Sequence, residues 1–185
     1  MSFANQRTPI KRVYDRTSHI LIVDDDQTLL KFFKIHLNKF FSRVIVVGSA
    51  EEAMKVMKSK DIDLVISDIK MPKTDGLNLL EQITKIDPTI PIYLITGGTL
   101  NSSQTGIAKK FAEGIVRKPF SIEDIENVIN NGMNKRQAFR DLEALIPDKR
   151  KRLAIVKNHE ESKKLRGKEK RAAVEEILLK LHPAA

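Results

Sequence analysis

The sequence predicts a doubly wound α/β fold, with five βα units on one all-parallel sheet and a helical C-terminal extension. Short β-branched apolar runs alternate with longer segments whose apolar residues recur at three and four positions. The runs lack polar alternation, as strands covered on both faces do. Helix start and stop residues fall between them, and right-handed strand–helix–strand crossovers wind such units onto both faces of a sheet.

The strand runs lie at 20–23, 44–47, 62–66, 92–95 and 115–116. Leu30, Phe33, Leu37 and Phe40 form the first helical stripe, and Ala50, Ala53, Met54 and Met57 the second. Leu79, Leu80, Ile83 and Ile86 form the third, Ile107, Ala108 and Phe111 the fourth, and Ile122, Ile125, Val128 and Ile129 the fifth. Each is one apolar face at helical period and is read as core. Ser49 ahead of Glu51 and Glu52 opens a helix, Asp87-Pro88 closes one, and Ser121 with Asp124 opens the last. The fourth helix has the least support. Gly97, Gly98, Thr99, Asn101, Ser102, Ser103 and Gly106 crowd its start, and these residues favour turns, so a mobile segment is expected there.

At 185 residues the chain has room for one ordinary domain and an appendage. No long apolar run is present, so no membrane span is expected. The first residues carry Arg7, Lys11, Arg12 and Arg16 without the apolar stretch of a secretory signal, and a cytoplasmic location is expected. There is no Cys, which excludes disulfide and thiolate chemistry, and the four His are too dispersed to suggest zinc. The net charge of +9 is uneven: 4 basic against 1 acidic residue through residue 18, 14 against 15 from there to 134, and 15 against 8 beyond. This divides the chain into a basic arm at 1–17, a near-neutral domain at 18–134 and a basic helical tail at 135–185.

The candidate chemistry gathers where strands end. Asp24, Asp25 and Asp26 follow the first run and Asp68 follows the third, so neighbouring parallel strands are expected to bring these carboxylates into one acidic pocket. Clustered carboxylates repel unless a cation neutralises them. Mg2+ suits the site, because it takes hard oxygen ligands and keeps waters that a phosphoryl group can replace. Thr96 follows the fourth run and Lys118, ahead of Pro119, follows the fifth. A carboxylate nucleophile, a metal cradle, a hydroxyl and an ammonium supply the positioning and charge neutralisation that in-line phosphoryl transfer needs. Any single strand-end Asp is usually a helix cap or a solvated loop charge; four such elements at four strand ends point to a site.

The stretches Ile20-Leu21-Ile22-Val23-Asp24-Asp25-Asp26 and Leu64-Val65-Ile66-Ser67-Asp68-Ile69-Lys70-Met71-Pro72 carry a specific resemblance. So do Asp75-Gly76-Leu77, Ile95-Thr96 and Arg117-Lys118-Pro119-Phe120. Over roughly residues 18 to 134 the chain resembles the response-regulator receiver domains of two-component signalling, whose fold is flavodoxin-like. The resemblance implies a phosphoryl group passed from a histidine kinase or phosphotransfer protein to Asp68. It implies Mg2+ ligated by Asp25, Asp68 and the backbone carbonyl of Lys70, with Asp24 helping through water. Thr96 and Lys118 would then meet the phosphoryl oxygens and draw the fourth helix, fifth strand and fifth helix into a second arrangement. One departure concerns that switch: where many receivers carry an inward-turning aromatic residue, this chain has Ile115. Such a protein modifies itself and turns over no external substrate in the ordinary sense.

Beyond Gly132 the pattern is helical only. Phe139, Leu142, Leu145 and Ile146 share one face, Pro147 interrupts it, and Val174, Ile177, Leu178 and Leu181 form a last amphipathic face. Residues 149–152 and 163–171 are dense in Lys and Arg. Three outputs fit: docking or self-association helices for a downstream partner, a DNA-binding tail that contacts phosphates, or an inert appendage on a phosphate relay or sink. Little core is expected for a compact DNA-binding module, because Gly167 and the polar stretch 157–170 interrupt it.

Overall fold

The computed structural model describes residues 18–38, 43–72, 75–157 and 168–181. The N-terminal arm, Phe40 of the first stripe, and Gly167 with the start of the second basic block lie outside the described residues. The chain runs β1 (His19–Val23), α1 (Gln27–Leu37), β2 (Arg43–Val47), α2 (Ala50–Ser59), β3 (Leu64–Asp68) and α3 (Gly76–Ile86). It continues through β4 (Ile92–Thr96), α4 (Ser102–Phe111), β5 (Gly114–Arg117) and α5 (Ile122–Leu145) to α6 (Lys149–Lys157) and α7 (Lys168–Leu181).

The strands form one sheet in the order β2-β1-β3-β4-β5, every pair parallel. Strand order reverses at β1, so the C-terminal ends of β1 and β3 lie side by side and open a crevice between the helices that leave them. Alternate strand residues feed two separate cores. Leu21, Val65 and Leu94 pack with Ala53, Leu79, Leu80 and Ile83 on one face. Ile20, Ile22, Ile66 and Ile95 pack with Phe33, Leu37, Ile125 and Ile129 on the other. Each fully buried Leu or Ile contributes about 1.5–3 kcal/mol, which explains the runs of apolar residues without alternation.

The helix starts read from sequence are capped as expected. The Ser49 hydroxyl accepts from the Glu52 N–H, and Ser121 with Asp124 forms a reciprocal capping box. The poorly supported fourth helix is regular across Ser102–Phe111, because Asn101 and Gln104 form a second capping box ahead of it.

The boundary expected after residue 134 falls inside α5, which runs unbroken to Leu145. Its distal half carries a third core that the sequence reading undervalued: Ala138, Leu142, Ile146 and Ile155 with Val174, Ile177, Leu178 and Leu181. The extension is tied to the sheet as well. Arg140 and Arg136 pair with the buried carboxylate of Asp63, which also accepts the His19 N–H at 3.0 Å. Arg136 further pairs with Asp87 and donates to the Thr89 hydroxyl. Burial works against the Asp87 charge, but hydrogen bonds from Thr89 and the Arg136 guanidinium outweigh it and hold that carboxyl below its ordinary range. All these contacts lie at the end of the sheet opposite the carboxyl ends of its strands.

Candidate phosphoryl-transfer site

Asp24 and Asp68 are 1% and 4% exposed, at or just past the C-terminal ends of β1 and β3. The ammonium of Lys118 reaches both, at 3.0 Å from Asp24 Oδ2 and 2.6 Å from Asp68 Oδ1. Lys118 follows β5, its N–H donates to the Thr96 carbonyl at 2.8 Å, and its peptide bond to Pro119 is cis. The remaining carboxylate oxygens are also occupied. Asp24 Oδ1 accepts the Asp26 N–H at 2.8 Å, and Asp68 Oδ2 accepts the Lys70 N–H at 2.6 Å.

These contacts set the electrostatics. Burial raises the Asp24 carboxyl above its ordinary range; the Asp26 N–H and Lys118 offset only part of that, and neighbouring Asp68 adds to the rise. Burial works against the charge on Lys118, but its hydrogen bonds to Asp68 and Asp24 outweigh it and raise the ammonium above its ordinary value. The pocket therefore holds a fixed positive charge between two buried carboxylates.

Thr96 is 2% exposed and ends β4. Its hydroxyl donates to the Gly98 carbonyl and accepts from the Gly98 N–H, both at 3.2 Å. It is thus held by its own loop rather than by Asp68. Register places it one residue beyond Ile95, the partner of Asp68 on the neighbouring strand.

The acidic pocket differs from its expected composition. Asp26 leaves it to cap α1, where its side chain accepts from the Thr28 and Leu29 N–H groups. Asp25 is exposed, since successive side chains of an extended segment point to opposite sides and Asp24 has taken the inward one. Among the described residues no three carboxylate or imidazole side chains gather as a ready-made metal cage. Mg2+ does not require one: it is usually held by one or two carboxylates and keeps several waters. The hard oxygen donors of Asp68, Asp24, the solvent-facing Asp25 and the Lys70 carbonyl fit that ion.

Glycines beside Asp68 and Thr96, read from sequence in the Asp75-Gly76-Leu77 stretch and as the turn-forming Gly97 and Gly98, line the site. A Cβ on Gly76 would lie 2.1 Å from the Asp68 backbone oxygen, so only glycine lets α3 start this close to the end of β3. A Cβ on Gly98 would come 3.2 Å from the Lys70 ammonium, whereas one on Gly97 would meet the Lys118 side chain only in ordinary van der Waals contact. Spacing from Asp68 and Thr96 was the available signal. Ile115 is 41% exposed on β5, away from the pocket.

The model of the response regulator receiver domain family matches residues 20–130. This chain belongs to that family. The receiver is 28% identical over 141 residues to the transcriptional regulatory protein GlrR of Escherichia coli, a stretch that makes up 76% of this chain and 30% of GlrR. It is 25% identical over 136 residues to the autoinducer 1 sensor kinase/phosphatase LuxN of Vibrio campbellii, covering 74% of this chain and 16% of LuxN. The chain thus spans less than a third of either relative. A response regulator receiver domain protein from Clostridium thermocellum superposes with a TM-score of 0.60 at 31% identity, covering 65% of this chain and 97% of that one. The receiver is therefore a component of two-component signalling with a flavodoxin-like fold. Receiver domains generally use Mg2+ for phosphorylation, and they meet histidine kinases or phosphotransfer proteins and downstream effectors. Among the described residues no helix is long and apolar enough to cross a membrane.

Proposed function

We propose that the receiver accepts a phosphoryl group on Asp68 from a phosphohistidine donor, with Mg2+ bound beside it, and that this changes its affinity for a protein partner. The observation that carries the reading is the Lys118 ammonium bridging the buried carboxylates of Asp68 and Asp24. An Asp68 carboxylate oxygen forms the new bond to phosphorus while the phosphorus–nitrogen bond of the donor breaks and the imidazole leaves with its electron pair and takes up a proton. Lys118 neutralises charge arriving on the phosphoryl oxygens, and the Thr96 hydroxyl turns from Gly98 to donate to one of them. Asp24, Asp25, Asp68 and the Lys70 carbonyl would hold Mg2+, which supplies further neutralisation of the phosphoryl charge when bound. The chain acts on itself and on no external substrate, and meets its donor in the cytoplasm.

Movement of Thr96 and Lys118 pulls on α4, β5 and α5, the elements that follow them. That surface, with exposed Ile115 upon it, and the helices α6 and α7 are the proposed contact region for a downstream partner or a second copy. The buried core between α5 and α7 favours an organised docking element over an inert tail.

The test incubates the wild-type chain and Asp68→Asn with acetyl phosphate, with and without Mg2+, and separates phosphorylated from free protein. The wild type should be modified only with Mg2+ and the variant not at all. Equal modification of both would remove Asp68 as the acceptor.

A further inference from the structure

The helical extension leaves a cavity against the receiver, at the end of the sheet opposite Asp68. It measures about 290 Å³ and lies between the end of α3, the distal half of α5 and α6. Small-molecule sites start at roughly 300 Å³, so it admits a small organic molecule and little more. Its walls are of two kinds. Ile86, Phe139 and Val156 supply an apolar side, where Ile86 of the α3 stripe is left 47% exposed. Arg136, Arg140, Lys149 and Arg152 supply a cationic side. Three carboxylates stand against these four cations: Asp63 pairs with Arg136 and Arg140, Asp87 with Arg136, and Glu143 with Arg152. Arg152 also donates to the carbonyls of Ile146 and Pro147, at 2.7 and 3.0 Å, and so fixes α6 against the end of α5. One positive charge is left over. Lys149, which opens α6, is exposed and has no ion-pair partner among the described residues. Nor are the arginines saturated. Arg136 Nε is buried without a hydrogen-bond partner, 3.6 Å from the Asp63 carboxylate, and Arg140 is half-exposed with one nitrogen on Asp63. A buried donor left unpaired is uncommon in a folded chain.

We propose that this cavity binds a small aromatic carboxylate, its ring against Phe139 and Ile86 and its carboxylate toward Arg140 and Lys149. A guanidinium offers a carboxylate two parallel N–H donors, and a single surplus positive charge matches a monoanion better than a phosphate dianion. The apolar side favours an organic anion over an inorganic one, because a ring laid on Phe139 and Ile86 removes apolar area from water. Such a ligand touches the receiver through α3 and the extension through α6, and holds the two together. The site is independent of phosphorylation chemistry, since it shares no residue with the pocket around Asp68.

The experiment titrates the full chain with 2-naphthoate and follows the naphthalene fluorescence, which no Trp obscures because the chain has none. Saturable binding is expected, with methyl 2-naphthoate, which lacks the charge, and acetate, which lacks the ring, each weaker by about tenfold. Lys149→Gln should weaken naphthoate binding about fivefold, the upper end for a solvent-exposed charge pair. Phe139→Ala should weaken it about tenfold through lost contact with the ring. Lys151→Gln, on the same helix but outside the cavity, should bind as wild type, and so should Asp68→Asn. No saturable binding up to millimolar naphthoate would overturn the proposal. Ester binding as tight as acid would leave an apolar cleft without a preference for anions and overturn it as well. Equal losses in Lys149→Gln and Lys151→Gln would reveal diffuse attraction to the basic run, and a loss in Asp68→Asn would move the ligand to the phosphoryl site; either result removes the proposal. Lys149 is exposed, so an unchanged thermal midpoint in Lys149→Gln separates lost binding from misfolding.

Discussion

Replacing Gly76 by Ala tests how closely α3 must approach the end of β3 at Asp68. The added methyl would sit 2.1 Å from the Asp68 carbonyl oxygen, 3.0 Å from its carbon and 3.1 Å from the Ile69 Cα, where real Cβ atoms do not come within 3.0 Å of a neighbour. All three neighbours are backbone atoms, so no rotamer change relieves the clash. The start of α3 must move back by about 0.9 Å, the difference between 3.0 and 2.1 Å. That stretches the Gly76 N–H to Ile69 carbonyl bond, now 2.9 Å, and loosens Leu77, Leu79 and Leu80 in the core. Overpacking of this kind costs about 3 kcal/mol, at the upper end of its usual range because rigid backbone is involved. Urea unfolding of wild type and Gly76→Ala, at equal denaturant dependence, reads the difference as a shift in midpoint. Phosphorylation of Asp68 should slow in the same variant, since its carbonyl shifts with the clash. A loss of stability below about 1 kcal/mol would refute the close approach.

Tyr93 provides a pH test. Burial, with the Glu113 carboxylate adding to it, pushes its phenol up to about 12, whereas an unfolded tyrosine ionises near 10. The folded chain keeps this proton longer, so the contribution to stability is complete below pH 10 and is lost as the pH rises from 10 to 12, by about 2 kcal/mol. The stability of wild type relative to Tyr93→Phe should fall by about 2 kcal/mol across that window; a constant difference would contradict the burial of the phenol. Leu142→Ala removes a fully buried side chain from the core shared by α5, α6 and α7 and should cost about 3 kcal/mol in that unit. Limited proteolysis should then release α7 while Asp68 is still phosphorylated, and a variant as resistant as wild type would show that the tail core does not hold α7. Lys118→Ala leaves Asp24 and Asp68 facing each other without their shared cation, so phosphorylation by acetyl phosphate should fall about 100-fold. An unchanged rate would deny Lys118 a role in the transfer.

Where the sequence was legible, the reason is periodicity. Five strands covered on both faces must be apolar without alternation, and the helices between them need one apolar stripe each, so Ile20, Leu64 and Ile92 mark strands as clearly as Phe33 and Ile83 mark helices. Parallel order then brings Asp24, Asp68, Thr96 and Lys118 to one end of the sheet. The direction of a single side chain is a finer matter. Asp25 and Asp26 stand beside Asp24 in sequence, yet one is exposed and the other caps α1, because an extended segment followed by a helix start sends consecutive residues different ways. The tail was harder to read for another reason. Its core is assembled from separated pieces, Leu142 from α5, Ile155 from α6 and Val174 from α7, and α6 and α7 alone are weakly amphipathic helices rich in Lys and Arg. The pairing of Arg136 and Arg140 with Asp63 joins residues more than seventy positions apart, and local pattern contains no record of it.

Hydride reduction of the phosphorylated receiver marks an aspartyl phosphate chemically, and peptide mapping of the reduced chain then identifies the residue that carried it. The mark should appear at residue 68, require Mg2+ during labelling and vanish in Asp68→Asn. A mark at any other residue, or none in a chain that has taken up phosphate, would contradict the assignment of Asp68 as the group that receives the phosphoryl.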